Sequence, residues 1–305
     1  MVTRQRALVV GGTGFLGRHI AAALAEDYEV TVTTRDPAVP GRTVVLDPTR
    51  GYREQFAAAL RELAPAVVVN AAGETWRPDP AARRRANIEL PRLLAEAMAD
   101  CPARFIHLGS SLEYGPVDPP AAIGEDTAAE PMSDYGRTKL DGTAAVLRLR
   151  GDAVVLRVFN AIGAGMSPAS VLGSTVATLR AARAERRPAV IELLDLPQSR
   201  DFVDARDVAA AVAAAATRGS GVVNIGSGTA RAAEDVVRAL AEVSGVGYRI
   251  VKRRAPRGHT RAVGSDWQLA DIRRAGADLG WAPRHGLADT LHHIWNFGPA
   301  GRRAR

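Results

Sequence analysis

A tyrosine and a lysine four residues apart are the side chains of this sequence best suited to proton transfer. Tyr135 and Lys139 lie in a stretch with a helical pattern, where a spacing of four places both on one helix face. A neighbouring ammonium lowers the pKa of a phenol, so we expect Tyr135 to exchange a proton with a substrate oxygen. Lys139 is one of only two lysines in an arginine-rich chain, which argues against a chance pairing.

A serine hydroxyl from the preceding strand would complete a catalytic set with this pair. Ser110 and Ser111 follow the apolar run Phe105–Leu108. A hydroxyl at the end of that strand can hold a substrate oxygen beside the phenol, and a turn or helix cap is the structural alternative for either serine. His107, inside the run, fits a packed strand histidine better than a catalyst.

A glycine-rich turn near the N-terminus has the pattern of a nucleotide phosphate site. Gly11, Gly14 and Gly17 follow the apolar run Ala7–Val10 and open a helical pattern. The first glycine permits a tight turn, the second lets the backbone approach a pyrophosphate, and the third lets helix and strand pack closely. A turn without a ligand is the alternative. The other residues of this turn expected to contact a cofactor are Thr13, Phe15 and Leu16.

The residue after the second predicted strand indicates which dinucleotide would bind. Arg35 follows the strand pattern Tyr28–Thr34. Its guanidinium can pair with the 2′-phosphate of NADP, whereas the adjacent Asp36 keeps the ribose hydroxyl of NAD open as a partner. We therefore expect NADP(H) as cofactor, with NAD(H) as the alternative, and an exposed surface arginine as the non-functional explanation.

These candidate residues lie at the ends of alternating strand and helix patterns. The alternation over residues 1–160 predicts an α/β fold, a Rossmann-type doubly wound parallel sheet that binds NAD(P). Residues 161–305 are predicted to form mostly a smaller C-terminal substrate-binding lobe, with about 200–225 returning to the core. The predicted strands are Ala7–Val10, Tyr28–Thr34, Thr43–Leu46, Ala66–Asn70, Phe105–Leu108, Ala153–Arg157 and Gly221–Ile225. The predicted helices include Gln55–Leu63, Pro80–Ala99, Ser133–Leu149, Val171–Ala184 and Ala232–Val243.

Composition and charge narrow the class of protein. The 305 residues are 47% hydrophobic and 24% charged, which is ordinary for a globular protein of about two domains. The net charge of +7 suits an anionic substrate, and basic clusters without interleaved aromatics argue against nucleic acid. Apolar runs are too short for a membrane helix, and we expect no signal peptide. With Cys101 as its single cysteine, the chain is expected to be cytoplasmic and to hold no metal.

Taken in order along the chain, these motifs resemble the extended short-chain dehydrogenases/reductases, the family of NAD(P)-dependent nucleotide-sugar epimerases, dehydratases and reductases. The resemblance spans residues 6 to about 297. It implies that Ser110, Tyr135 and Lys139 are the catalytic residues. The further cofactor contacts that it implies are Asp47, Ala71, Ala72, Gly73, Asn87 and Phe159. The substrate contacts that it implies are Ser111, Asn160, Arg200 and Arg261. It also implies a homodimer formed through the two long helices that contain Asn87 and Tyr135.

Within this family the chain is most similar to reductases of GDP-4-keto-6-deoxy-mannose. Dehydratases of the group carry an Asp-Glu pair directly after the catalytic hydroxyl, where this chain has Ser111 and Leu112. The resemblance therefore predicts NADPH-dependent reduction of the 4-keto group of a nucleotide-linked 4-keto-6-deoxyhexose. The alternatives are an NAD-dependent 4-epimerase or dehydratase of the same fold and, more remotely, a non-enzymatic NADP-sensing protein, which would not need the Tyr135–Lys139 pair.

Overall fold

A seven-stranded parallel sheet forms the centre of the structure, a computed structural model that describes residues 4–46, 51–75, 79–149, 151–196, 198–254 and 265–297. Its strands are β1 (Arg6–Val10), β2 (Glu29–Thr34), β3 (Thr43–Val45), β4 (Val67–Asn70), β5 (Arg104–Ser110), β6 (Ala153–Val158) and β10 (Gly221–Ile225). They lie in the order β10-β6-β5-β4-β1-β2-β3. Central strands such as β4 are apolar and fully buried, as a parallel sheet covered on both faces requires.

Helices cover both faces of this sheet. They are α1 (Phe15–Leu24), α2 (Tyr52–Leu63), α3 (Pro80–Arg84), α4 (Leu90–Met98), α5 (Asp134–Leu147) and α7 (Ala205–Ala215), with a π-helical segment (Arg85–Glu89) between α3 and α4. Helices α1 and α7 pack on one face through Ile20 and Val212. Helices α2, α4 and α5 pack on the other through Phe56, Leu94 and Val146. In the described part of the chain, no helix has the length and apolar character needed to span a membrane.

A second group of elements, mainly from the C-terminal half, has its own apolar core. Its strands are β7 (Asn160–Ile162), β8 (Ala189–Asp195), β9 (Ser199–Asp204), β11 (Ala230–Ala232) and β12 (Tyr248–Arg254), and its helices are α6 (Val171–Ala184), α8 (Ala233–Ser244) and α9 (Leu287–Asn296). Strands β11, β9 and β7 form one small sheet, and β12 and β8 form another. Leu179, Leu240 and Trp295 pack in the core between the three helices.

The predicted doubly wound α/β fold is confirmed, but some elements differ from the prediction or were not predicted. The expected continuous helix Pro80–Ala99 is divided by the π-helical segment that contains Asn87. The strands of the second group, such as β9, were not predicted. Strand β9 carries the buried charged residues Arg200 and Asp201, which hide its strand pattern, and β8 and β12 have largely exposed ends.

Candidate active site

The candidate site lies where the order of strands in the sheet reverses, between β1 and β4. Chains that leave two such strands turn to opposite faces and open a crevice at their carboxyl ends, the usual ligand site of this fold. The glycine turn leaves β1, and residues 71–73 leave β4. The two segments are joined where the amide of Ala71 donates to the carbonyl of Val10 at 2.9 Å. The predicted cofactor segments therefore meet at one point of the sheet.

The glycine turn is shaped by contacts that leave no room for side chains. Gly11 has a φ of +78°, and a Cβ there would lie 2.8 Å from the backbone of Ala72. A Cβ on Gly17 would lie 2.1 Å from the Gly11 carbonyl oxygen. Because these contacts hold α1 against the turn, its first amides lie beside the crevice, where they can bind phosphate. The turn thus fits the diphosphate of a dinucleotide.

Arg35 lies exposed just beyond the end of β2, on the same edge of the sheet. The neighbouring Asp36 is engaged locally, because its Oδ1 accepts from the amide of Ala38 at 2.9 Å. Thr33, near the end of β2, accepts from the Gly11 amide at 3.2 Å and connects this strand to the glycine turn. The edge therefore presents an exposed guanidinium next to a carboxylate that already caps a turn.

The three predicted catalytic residues lie together at the end of β5 and the start of α5. The hydroxyl of Tyr135 is hydrogen-bonded to the side chains of Ser110 and Thr75. The buried ammonium of Lys139 donates to the carbonyl of Leu108 at 2.6 Å. Sequence reasoning missed Thr75, which follows β4 and stands sixty residues before its partner, so no local pattern connects the two. The structure thus provides a phenol between two hydroxyls, with an ammonium on the same helix.

The expected direction of the Tyr135 pKa was wrong. Burial raises the pKa of Tyr135 above its usual value, and the hydrogen bonds from Thr75 and Ser110 offset this only in part. Burial also lowers the pKa of Lys139, against the opposing effect of the Glu113 carboxylate. The Lys139 ammonium donates to the backbone carbonyl of Leu108. Burial has the largest effect on the pKa of Tyr135, and it therefore favours the neutral, protonated form of the Tyr135 phenol.

Close helix packing sets the position of Tyr135 and Lys139. A Cβ on Gly136 would lie 2.0 Å from the carbonyl oxygen of Leu112, so the start of α5 is seated directly on the turn that follows β5. Gly142 makes a similar approach to the carbonyl of Asn87, at 2.2 Å. The Asn87 amide also donates to Thr138 at 3.1 Å and to the carbonyl of Glu74 at 3.0 Å. Asn87 is thus buried and connects α5 with the segment after β4.

A buried ion pair lies directly behind the serine turn. The Glu113 Oε2 accepts from Arg157 Nε at 2.8 Å, and both side chains are largely or completely buried. Its Oε1 accepts from the Ser110 amide at 2.8 Å, while the Ser110 hydroxyl accepts from the amide of Leu112 at 3.2 Å. This reciprocal capping box could have been read from the Ser-x-x-Glu spacing, which the sequence analysis did not use.

The predicted substrate residues fall into two groups. Asn160 on β7 and Arg200 on β9 belong to the same small sheet, whereas Ser111 is buried at the turn after β5. The Asn160 amide donates to Gln268 at 3.0 Å, and Arg200 donates to the carbonyl of Ser265. Burial lowers the pKa of Arg200 to about 10, and the charge of the Asp266 carboxylate opposes this shift.

The remaining predicted cofactor residues are placed as follows. Phe159 is buried between β6 and β7, and its amide donates to the carbonyl of Ile225 at 2.9 Å. Thr13 is exposed in the glycine turn, and Phe15 and Leu16 form the first turn of α1. Asp47 and Arg261 lie outside the described residues, so their expected roles stay predictions.

Comparison with known proteins decides the family. The sequence model of the NAD dependent epimerase/dehydratase family matches residues 7–226, from β1 to just past β10. The chain belongs to this family. As the match covers most of the chain, the predicted resemblance to extended short-chain dehydrogenases/reductases is confirmed, and the chain is an enzyme of the NAD(P)-dependent nucleotide-sugar oxidoreductase and epimerase family.

Two curated members of the epimerase/dehydratase family are similar over nearly their whole length. The dTDP-6-deoxy-L-talose 4-dehydrogenase (NAD(P)(+)) of Kitasatospora kifunensis is 39% identical over 303 residues, which cover 95% of this chain and 94% of that protein. The GDP-6-deoxy-D-mannose reductase of Pseudomonas aeruginosa is 29% identical and covers 95% of this chain and 96% of its own length.

Solved structures of family members superpose closely on this fold. MoeE5 in complex with UDP-glucose and NAD has a TM-score of 0.82 and 29% identity, and the match covers 96% of this chain and 98% of that one. RMD from Pseudomonas aeruginosa complexed with NADPH has a TM-score of 0.79 and 26% identity, with 96% of each chain covered. Both of these structures contain a nicotinamide cofactor.

Proposed function

We propose that this enzyme uses NADPH to reduce the 4-keto group of a nucleotide-linked 4-keto-6-deoxyhexose. The observation that carries the proposal is the arrangement at the end of β5: Tyr135 between two hydroxyls, with no free carboxylate next to Ser110. Similarity to a 4-dehydrogenase of a 6-deoxy sugar supports it, because dehydrogenation at C4 is the reverse of this reduction.

In the proposed mechanism the side chains bind and protonate the sugar. Ser110 and Tyr135 hold the C4 oxygen between them, since the Ser110 side chain already acts on the Tyr135 hydroxyl through hydrogen bonding. Tyr135 donates its proton to that oxygen as charge develops on it. The buried Lys139 holds a positive charge near the phenolate that remains. NADPH, when bound against the glycine turn, supplies the hydride to C4.

Elimination of water is disfavoured by the state of Glu113, the carboxylate of the Ser110 turn. Glu113 follows Ser110 by three residues, but its two oxygens are engaged by Ser110, Thr143 and Arg157. Ser111 and Leu112, in the positions of the dehydratase acids, carry no carboxylate. The described residues of the Ser110 turn therefore provide no second acid–base pair of the kind that dehydration requires, which supports reduction over dehydratase chemistry.

The substrate lobe provides a buried cation for a nucleotide diphosphate. Arg200 is a buried residue of β9, and its planar guanidinium suits bidentate binding of phosphate. Asn160, on the neighbouring strand β7, donates its side-chain amide to the carbonyl of Asp201 and to Gln268, so its Oδ1 remains to accept from a sugar hydroxyl. We propose dTDP as the carrier, since the 39%-identical relative acts on a dTDP sugar by its name. A homodimer and a cytoplasmic location complete the proposal.

A panel of 4-keto-6-deoxyhexoses on dTDP and GDP carriers tests this assignment. With NADPH we expect turnover that is fastest on a dTDP sugar, and a product heavier than the ketosugar by two hydrogens. A GDP preference would overturn the choice of carrier alone. Interconversion of two 4-hydroxy sugars without added cofactor would support the 4-epimerase alternative, and loss of water from a hexose would support a dehydratase.

Arg35 is expected to select the cofactor. In the variant Arg35→Asp, the exposed guanidinium at the end of β2 is replaced by a carboxylate that repels the 2′-phosphate. NADPH affinity should fall by about 1.5–3 kcal/mol, which is the scale of a hydrogen bond to a charged group, while NADH binds relatively better. Titration of cofactor fluorescence measures both affinities. Arg249→Asp, at an exposed position of β12, is the matched control and should change neither. Equal NADPH and NADH affinity in the wild-type protein would contradict the assignment.

A further inference from the structure

One completely buried carboxylate touches the three elements that surround the candidate catalytic residues. Glu113 is 0% exposed. Its Oε1 accepts from the Ser110 amide at the end of β5 and from the Thr143 hydroxyl on α5, at 2.8 and 3.0 Å. Its Oε2 accepts from Arg157 on β6 at 2.8 Å. Thr143 lies one helical turn after Lys139, so the same oxygen contacts the strand of the serine and the helix of the tyrosine and lysine.

Contacts with Gly109 and Arg157 also restrict the side chain of Glu113. A Cβ on Gly109 would lie 2.8 Å from its Oε1, so the strand beneath admits no side chain there. Arg157 is held in turn, because its guanidinium stacks over the ring of Tyr114 at 4.2 Å, and the Tyr114 hydroxyl donates to Asn224 at 2.8 Å. The carboxylate is therefore held by donors from β5, α5 and β6, and it connects the Ser110 turn with α5.

We propose that Glu113 is a positioning residue for the reaction: its carboxylate joins the Ser110 turn to helix α5 and places a negative charge beneath Tyr135 and Lys139. This inference rests on the proposed roles of those two residues as proton donor and neighbouring cation. It assigns no contact with substrate to Glu113 itself, whose oxygens are occupied by protein donors.

The charges around the catalytic pair agree with this role. The Glu113 carboxylate raises the pKa of both Tyr135 and Lys139. The positive charge of Arg83 lowers the pKa of Tyr135. His107, buried in β5 and bonded to Asn70 at 3.0 Å, is kept neutral because burial and the Lys139 charge hold its pKa well below the usual value. Glu113 is therefore the anion that favours the protonated form of both groups.

The variant Glu113→Gln tests the charge, because it keeps the length of the side chain and one acceptor oxygen. The readout is the ultraviolet titration of Tyr135 in the full-length protein saturated with NADP⁺, taken as the difference from Tyr135→Phe, since the chain has five tyrosines. Loss of the anion should move tyrosinate formation to lower pH. The alkaline limb of the reduction rate should move the same way, because the working phenol and ammonium are both protonated. A titration identical to that of the wild-type protein would overturn the proposal.

The double variant Glu113→Gln/Arg157→Gln separates the charge from general destabilisation. The single variant leaves Arg157 buried and unpaired, and its Tm should fall, whereas the double variant removes both charges and should regain much of the Tm. The lower-pH titration of Tyr135 should persist in the double variant. If Tyr135 of the double variant titrated as in the wild-type protein, the shift in Glu113→Gln would be an effect of the unpaired Arg157. That result would reject a direct role for Glu113.

Thr143→Val tests the positioning itself and does not depend on the charge. Valine has nearly the same shape, so only the hydrogen bond between Glu113 and α5 is lost. We expect kcat to fall on the order of tenfold, with the KM for NADPH and the Tyr135 titration unchanged. A wild-type kcat would overturn the positioning role, even if Glu113→Gln failed to fold. The tyrosine titration needs no sugar substrate, so an incorrect choice of substrate would not be mistaken for failure of this inference.

Discussion

Replacing Tyr135 by phenylalanine lowers kcat by about 10²–10⁴-fold, the usual contribution of a positioned general acid, and leaves NADPH affinity nearly unchanged. The aromatic ring stays in place, while the hydroxyl that is bonded to Ser110 and Thr75 is lost. Steady-state rates and a cofactor titration on the same protein sample separate the two effects.

Tyr248→Phe is the matched control for this loss. Tyr248 lies at the start of β12, in the two-stranded sheet of the second group of elements, and its hydroxyl has no role in the proposed chemistry. It should keep the wild-type kcat. A Tyr135→Phe enzyme that turned over as fast as the wild-type protein would mean that another group donates the proton.

Gly136→Ala is expected to lose activity although alanine is the better helix former. In an unconstrained helix this change stabilises by about 1 kcal/mol. Here the added Cβ would lie 2.0 Å from the backbone carbonyl of Leu112, so α5 must move away from the Ser110 turn. Overpacking of this kind costs about 1–3 kcal/mol of stability, and a displacement of about 1 Å at a reacting group costs on the order of 10² in rate.

The Tm of Gly136→Ala measures its loss of stability, and kcat measures its loss of activity. Gly286→Ala is the control, since no atom lies within 4 Å of a Cβ built at that position, which precedes α9. It should leave both quantities near their wild-type values. A Gly136→Ala protein with raised Tm and full activity would show that α5 does not need its close approach to the turn.

The parts of the candidate site whose geometry could be predicted depend on neighbours in sequence. The glycine turn is specified by glycines three residues apart, because Gly14 and Gly17 both lie against the carbonyl oxygen of Gly11. Tyr135 and Lys139 share a helix face for the same reason. The alternation of apolar strands and helices was enough to predict the doubly wound sheet, since buried parallel strands are continuous apolar runs.

The parts that were missed depend on partners far apart in the chain. Glu113 pairs with Arg157 across 44 residues, and Thr75 reaches Tyr135 from a different strand end, so neither contact leaves a local pattern. The pKa of Tyr135 was predicted in the wrong direction because the lysine on its helix face was considered without the burial that the fold imposes. Charged residues such as Arg200, which look like surface residues in the sequence, conceal strand β9.

Transfer of deuterium from the cofactor to the sugar tests the central claim most directly. The enzyme is supplied with NADPH that carries deuterium at nicotinamide C4 on the transferred face, together with a dTDP-linked 4-keto-6-deoxyhexose. We predict one cofactor oxidised for each ketosugar consumed, with one deuterium at C4 of a 4-hydroxy product. Recovery of the ketosugar without deuterium and without net oxidation of NADPH would contradict the proposed reduction.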